Sequence, residues 1–218
     1  MVGRHIEAVI WDFNGTLIDD IDPVVASVNT QLAKRGLPAV TAAKYREVFG
    51  FPVEDYYRRL GLEFETETIA DLAADFFAEY RPRLKDCALH EGVVEALKRL
   101  SSRGMRQFVL SAMEEGMLHS MLEHVGIARF FEGAYGLAHQ EGDSKISRGR
   151  ELLRDYAVDP EAALLVGDTD HDAEVGAALG VRTILVANGH QTEARLRATG
   201  SETVATVHEL LDRIIQRP

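Results

Sequence analysis

A single cysteine, Cys87, excludes an internal disulfide and suits a chain that works in a reducing compartment. No apolar run approaches the roughly 20 residues that a membrane span needs. The first residues show no signal-peptide pattern. Basic residues are scarce, 24 Lys and Arg against 35 Asp and Glu, for a net charge of −11. That balance disfavours nonspecific binding to nucleic acid or anionic membranes. It does not exclude a small phosphorylated ligand, because a local field can oppose the overall sign. Repeats and low-complexity tracts are absent as well. These absences together point to a cytoplasmic globular protein with no membrane or nucleic-acid partner. The oligomeric state is not legible at this stage.

What is present is organised around residues 6–19. Ile6, Ala8, Val9, Ile10 and Trp11 form a nearly continuous apolar run, the pattern of a strand buried on both faces. The run stops at Asp12, and Asn14-Gly15 follows, a pair that turns the chain. From residue 20 the periodicity becomes helical for about seventy residues. Val24, Val25, Val28 and Leu32 share one face, Thr41 is placed to cap a short helix, and Ile69 to Tyr80 carries the strongest helical stripe. Pro82 is expected to close that stripe. From His90 strands and helices alternate, with strands expected at Met105–Leu110, Gly133–Leu137, Ala162–Val166, Val181–Val186 and a short edge at Thr203–Ala205. The pattern predicts an α/β fold, a doubly wound parallel sheet with residues 20–86 inserted as a helical unit. The core is then 1–19 with 87–218.

Asp12, Ser111 and Asp168 each stand just behind a buried strand. In a parallel sheet those ends share one edge, so the three can converge on one ligand. Gly167-Asp168-Thr169-Asp170-His171-Asp172 adds Asp172 four residues beyond Asp168 on a strand-to-helix turn. Clustered carboxylates repel one another unless a cation is present, and an oxygen-only set suits Mg2+. Lys145, behind the polar loop that runs from His139 to Ser144, carries little meaning alone; its place in the chain gives it one.

Asp12-Phe13-Asn14-Gly15-Thr16-Leu17-Ile18-Asp19 resembles the first motif, DxDGTLxD, of the haloacid dehalogenase (HAD) superfamily. Ser111, Lys145 and Asp168 with Asp172 match the second, third and fourth motifs in order and spacing, and residues 20–86 fall where a C1-type helical cap belongs. The branch resembled is phosphoglycolate-phosphatase-like. This resemblance implies a Mg2+-dependent phosphohydrolase of a small phosphorylated metabolite, with Asp12 as the nucleophile of an aspartyl-phosphate. It implies that Asp12, the Asn14 backbone carbonyl and Asp168 hold the metal. Ser111 and Lys145 would hold the phosphoryl oxygens, with Asp172 orienting Lys145 or a metal-bound water. Substrate contacts are expected from Gly15, Thr16, Ala112, Arg46, His139 and His171.

One position departs from the pattern: Asn14 stands where the family has its acid–base Asp. An amide keeps the backbone carbonyl but has no proton to give a leaving alkoxide, and such help is worth about 10²–10⁴-fold. His171 and His139 are the imidazoles expected to replace it; failing that, Asn14→Asp is expected to raise rates on poor leaving groups. A second function stays open: a weakened domain that binds a phosphorylated ligand or a protein partner. The dehalogenase branch also lacks this Asp but works without metal, and the intact Asp168 and Asp172 disfavour it.

Overall fold

The computed structural model describes residues 6–63, 68–138 and 144–215. The central strand β1 (Ala8–Trp11) is flanked by β4 (Arg106–Glu114) on one side and β6 (Ala163–Gly167) on the other. Outward from β4 lies β5 (Gly133–Leu137), and outward from β6 lie β7 (Arg182–Val186) and β8 (Glu202–Val204). Every pairing in this sheet of order β5-β4-β1-β6-β7-β8 is parallel. The chain therefore crosses from one half of the sheet to the other beside β1, where open α/β sheets place their ligands.

The alternation of side chains along the strands divides the interior in two. Ala8, Ile10, Phe108, Leu110 and Leu165 face helices α7 (Lys145–Asp155) and α8 (Asp170–Leu179) through Leu152, Val175 and Leu179. Val9, Trp11, Val109, Leu164 and Val166 face the other way. That second layer is covered by α5 (Val93–Ser101), α6 (Glu115–His124) and α10 (Val207–Ile215). The six-residue α9 (Glu193–Ala198) precedes the edge strand β8. No described helix is long and apolar enough to cross a membrane.

Among the described residues, the helical stretch predicted after Asp19 is four helices between the strands of a small antiparallel ribbon, β2 (Ile18–Asp19) and β3 (Ala88–Leu89). They are α1 (Ile21–Lys34), α2 (Ala42–Val48), α3 (Val53–Arg59) and α4 (Ile69–Leu84). Thr41 caps α2 through its hydroxyl, which accepts the Lys44 N–H at 3.1 Å. The apolar faces of α1 and α4 join the same cluster as Trp11 and Phe13, so core and insertion share one interior.

Two sequence expectations are corrected. Helix α4 runs through Pro82 to Leu84 rather than ending there. Strand β4 continues past Ser111 to Glu114, because the chain keeps its extended course as its register against β5 shifts beyond Leu110.

Gln107 fastens the layers polar-on-polar inside this interior. It is 1% exposed, accepts the Trp11 indole N–H at 3.2 Å, and donates to the Leu97 carbonyl at 3.0 Å. Gln107→Leu strands the indole donor and is expected to cost about 1–3 kcal/mol in urea unfolding. Trp11 fluorescence reads that unfolding directly, and a change under about 0.5 kcal/mol would contradict the role.

Candidate active site

The loop leaving β1 sets the first half of the site. Gly15 has φ +71°, a left-handed conformation that suits glycine. A Cβ on Gly15 would lie 2.3 Å from Asp168 Oδ2 and 2.5 Å from His190 Cδ2, so closeness demands glycine too. That closeness lets Thr16 donate its hydroxyl to Asp168 Oδ1 at 2.8 Å. Asp168 Oδ2 accepts the His190 backbone N–H at 2.6 Å.

The second half is built at the start of two helices. Ser144 caps α7, which puts Lys145 at the first helical position and buries it at 5% exposure. Its ammonium donates to Asp12 Oδ1 at 2.5 Å and Asp172 Oδ1 at 2.6 Å. Asp172 serves α8 with its other oxygen, accepting the N–H of Asp168 and of Thr169 and the Thr169 hydroxyl. One carboxylate thus caps a helix and aims a lysine. Asp12, Asp168 and Asp172 each bring one carboxylate oxygen to within 4.8 Å of the others.

A cavity of about 100 Å³ lies over this cluster. Its lining includes Asp12, Asn14, Ser111, Ala112, Lys145, His171 and Asp172, all expected at the site, together with Phe49, Phe51, Thr169 and His190, which were not. Ser111 Oγ accepts the Met113 N–H at 3.1 Å. The His171 ring lies against Phe51, centroids 4.7 Å apart, with Nδ1 3.2 Å from Glu174. Four expected residues lie outside that lining: Asp168, Gly15, Thr16 and Arg46. Gly15 and Thr16 are spent on the Asp20 and Asp168 carboxylates behind it. Arg46 Nε donates instead to the Gly189 carbonyl at 2.8 Å. His139 lies outside the described residues.

Arg46 belongs to a set of contacts that fasten the α2 end to the core. Gln191 Nε2 donates to Phe49 O at 3.2 Å, and Arg195 reaches the same carbonyl while pairing with Asp170 at 2.8 Å. Phe49 and Phe51 are therefore held down over the cavity.

Sequence reasoning missed a buried pair, Asp20 and His190, of which His190 also lines the cavity. His190 Nε2 sits 3.2 Å from Asp20 Oδ1, and Nδ1 is 3.0 Å from the Tyr45 hydroxyl. The signal was available: Asn188-Gly189-His190 follows the buried end of β7, the same kind of place as Asp12 and Asp168.

Charge governs the site. Burial pushes the Asp12 carboxyl up to about 7 against the pull of Lys145, with Asp172 and Asp168 adding to the rise. Burial likewise lifts Asp168 to about 6, opposed by His190. Burial works against the Lys145 charge, yet Asp12 and Asp172 outweigh it and hold its pKa above the ordinary value. His190 is raised to about 9 although burial opposes its charge, because Asp20 faces it. Asp20 is lowered in spite of burial, chiefly by His190.

Residues 9–186 match the family model of haloacid dehalogenase-like hydrolases. The chain is 29% identical over 218 residues to the tyrosine-protein kinase PtkA of Mycobacterium tuberculosis, covering 97% of this chain and 74% of that one. It is 29% identical over 200 residues to the phosphoglycolate phosphatase of Rhodospirillum rubrum, covering 86% and 82%. A predicted phosphatase from Clostridium acetobutylicum shares the fold at a TM-score of 0.83 and 21% identity, with 98% and 100% covered.

The His190–Asp20 pair makes stability pH-dependent. A histidine raised from 6.5 to about 9 contributes stability fully below pH 6.5 and loses it as pH rises through 9. The gap in unfolding free energy between the parent and His190→Gln, measured in chelator, is expected to narrow by up to about 3 kcal/mol from pH 6 to pH 9.5. A gap that is flat across that window would contradict the ion pair.

Proposed function

The chain belongs to the haloacid dehalogenase-like hydrolase family, and on that premise we propose that it is a Mg2+-dependent phosphohydrolase of a small phosphorylated metabolite. The observation that carries this reading is the Asp12 carboxylate at the end of β1, 2.5 Å from a buried lysine and clustered with Asp168. We read residues 20–86 as a cap over that site and the reducing cell interior as its compartment.

The donor set fits Mg2+: hard carboxylate oxygens close together, in an environment that already strains toward protonation at Asp12 and Asp168. Asp12, Asp168 and the Asn14 carbonyl would hold the ion. Bound there, it supplies positive charge that offsets the approach of a phosphoryl anion to a carboxylate. The remaining work falls to the chain. Asp12 attacks phosphorus, a P–O bond forms to its carboxylate, and the bond to the leaving oxygen breaks. Lys145 neutralises charge on the phosphoryl oxygens, and the Ser111 hydroxyl donates to one of them. Water then cleaves the acyl phosphate and returns Asp12. Phe49 and Phe51 exclude bulk water over the reacting group. A cavity of about 100 Å³ is small beside the ~300–1,000 Å³ of ordinary ligand pockets, which favours a compact substrate.

Asn14 supports a second reading, a domain that binds a phosphorylated ligand or protein without turning it over. An amide there gives no proton to a departing alkoxide. The retained Asp12, Ser111, Lys145 and Asp168 favour the enzyme, since a binder gains little from a nucleophile.

A screen of phosphomonoesters with Mg2+ separates these readings. Hydrolysis is expected to vanish in chelator, return with Mg2+, and fall at least about 10³-fold in Asp12→Ala. Including ATP, with phosphotyrosine as the readout, tests for transfer to a hydroxyl, the activity that the mycobacterial relative is named for. Binding of phosphate esters without any Asp12-dependent turnover would favour the second reading.

A further inference from the structure

The departure at residue 14 has a partner six residues on. Asp20 is fully buried, and four donors saturate its carboxylate. Oδ1 accepts the Gly15 N–H at 2.9 Å and faces His190 Nε2 at 3.2 Å. Oδ2 accepts Asn14 Nδ2 at 2.9 Å and the Tyr80 hydroxyl. The second N–H of Asn14 Nδ2 goes to Tyr80 Oη at 2.8 Å. Both amide donors of Asn14 are therefore spent on the seam between the β1 loop and α4. The single Tyr80 proton is spent on Asp20.

A carboxylate at position 14 has no donor to offer here. Its oxygen would stand about where Asn14 Nδ2 stands, against the ionised Asp20 on one side and a Tyr80 oxygen without a proton to give on the other. Two carboxylates at that separation, buried, repel strongly. We propose that Asp20 is a positioning residue that commits residue 14 to an amide. It turns the Asn14 side chain into a latch between the β1 loop and the helical insertion, and it bars the acid–base carboxylate unless Asp20 is itself neutralised.

This assigns work to three residues outside the motifs. Asp20 holds the loop through Asn14 and Gly15, Tyr80 carries that hold to α4, and His190 supplies the compensating charge. It replaces the expectation that Asn14→Asp alone lifts the rate. It also favours substrates whose leaving oxygen departs without a proton, aryl or acyl phosphates before alkyl ones; that part rests on the phosphohydrolase reading.

The test is a cycle of Asn14→Asp, Asp20→Asn and the pair together. In the pair, the amide and carboxylate trade places. The amide now at position 20 donates to the carboxylate now at position 14, and Tyr80 donates to that carboxylate as well. The oxygen of the new amide still accepts the Gly15 N–H. Intact mass must confirm the amide at residue 14 in the parent, because Asn-Gly deamidates readily. Each single variant is expected to lower Tm, and the double to recover at least half of the summed loss. With Mg2+, Asn14→Asp is expected to give no gain on an alkyl phosphate, while the double gains at least tenfold in kcat over Asn14→Asp with KM changed less than about threefold. A double that folds where a single does not counts for the proposal. Tm losses that simply add, or a gain in alkyl kcat from Asn14→Asp alone at undiminished Tm, would overturn it. If the parent hydrolyses nothing, the phosphohydrolase reading fails while the Tm cycle still decides the positioning role.

Discussion

Four carboxylates, Asp12, Asp20, Asp168 and Asp172, are buried within one site, and two buried cations, Lys145 and His190, stand among them. Buried charge is costly unless it is paired, and the rest of the arrangement follows from that cost. Lys145 is placed where it can serve both Asp12 and Asp172, and His190 where it can serve Asp20. What these two leave uncompensated appears as the raised Asp12 and Asp168. A parallel sheet makes this crowding achievable, since adjacent strand ends deliver side chains to one edge and helix starts supply N–H groups to hold them. Gly15 is the backbone counterpart: only a residue without a side chain lets the first loop lie against Asp168.

The same charges join the two parts of the chain. Asp20 opens α1, Tyr80 lies near the end of α4, and Tyr45 lies in α2; all three reach the Asp20–His190 pair or belong to it. Arg46, Gln191 and Arg195 add neutral and ionic contacts farther out. The helical insertion is thus fastened through the chemistry of the site itself as well as through the shared interior of Leu32, Tyr56 and Trp11. An α2 end fastened this way keeps Phe49 and Phe51 over a small cavity, which bears on the size of what enters.

The fold was legible because buried parallel strands and amphipathic helices leave different periods in the sequence. β1, β6 and β7 read as apolar runs, and α4 as a helical stripe, close to where they lie. Pro82 misled, since its missing N–H falls near a helix end where one lost bond is tolerated. At the site, Asp12, Lys145, Asp168 and Asp172 were singled out by their position behind strands and by motif order, and the structure brings the four together. Asp20 and His190 were not singled out. Their meaning comes from each other, from opposite ends of the chain, and no local pattern records such a pair. Arg46 was expected on the substrate from its place in the helical stretch that resembles the family's cap; its guanidinium donates to the Gly189 carbonyl instead.

An acidic cluster with too little positive charge should bind a divalent cation whether or not turnover follows. The most direct measurement is the Mg2+ dependence of Tm in metal-free protein, with calorimetry of Mg2+ binding alongside, for the parent and for Asp168→Asn. The account predicts that Tm of the parent climbs with Mg2+ concentration and that the climb is lost in Asp168→Asn. A parent indifferent to Mg2+, or an Asp168→Asn variant that responds as the parent does, would contradict it.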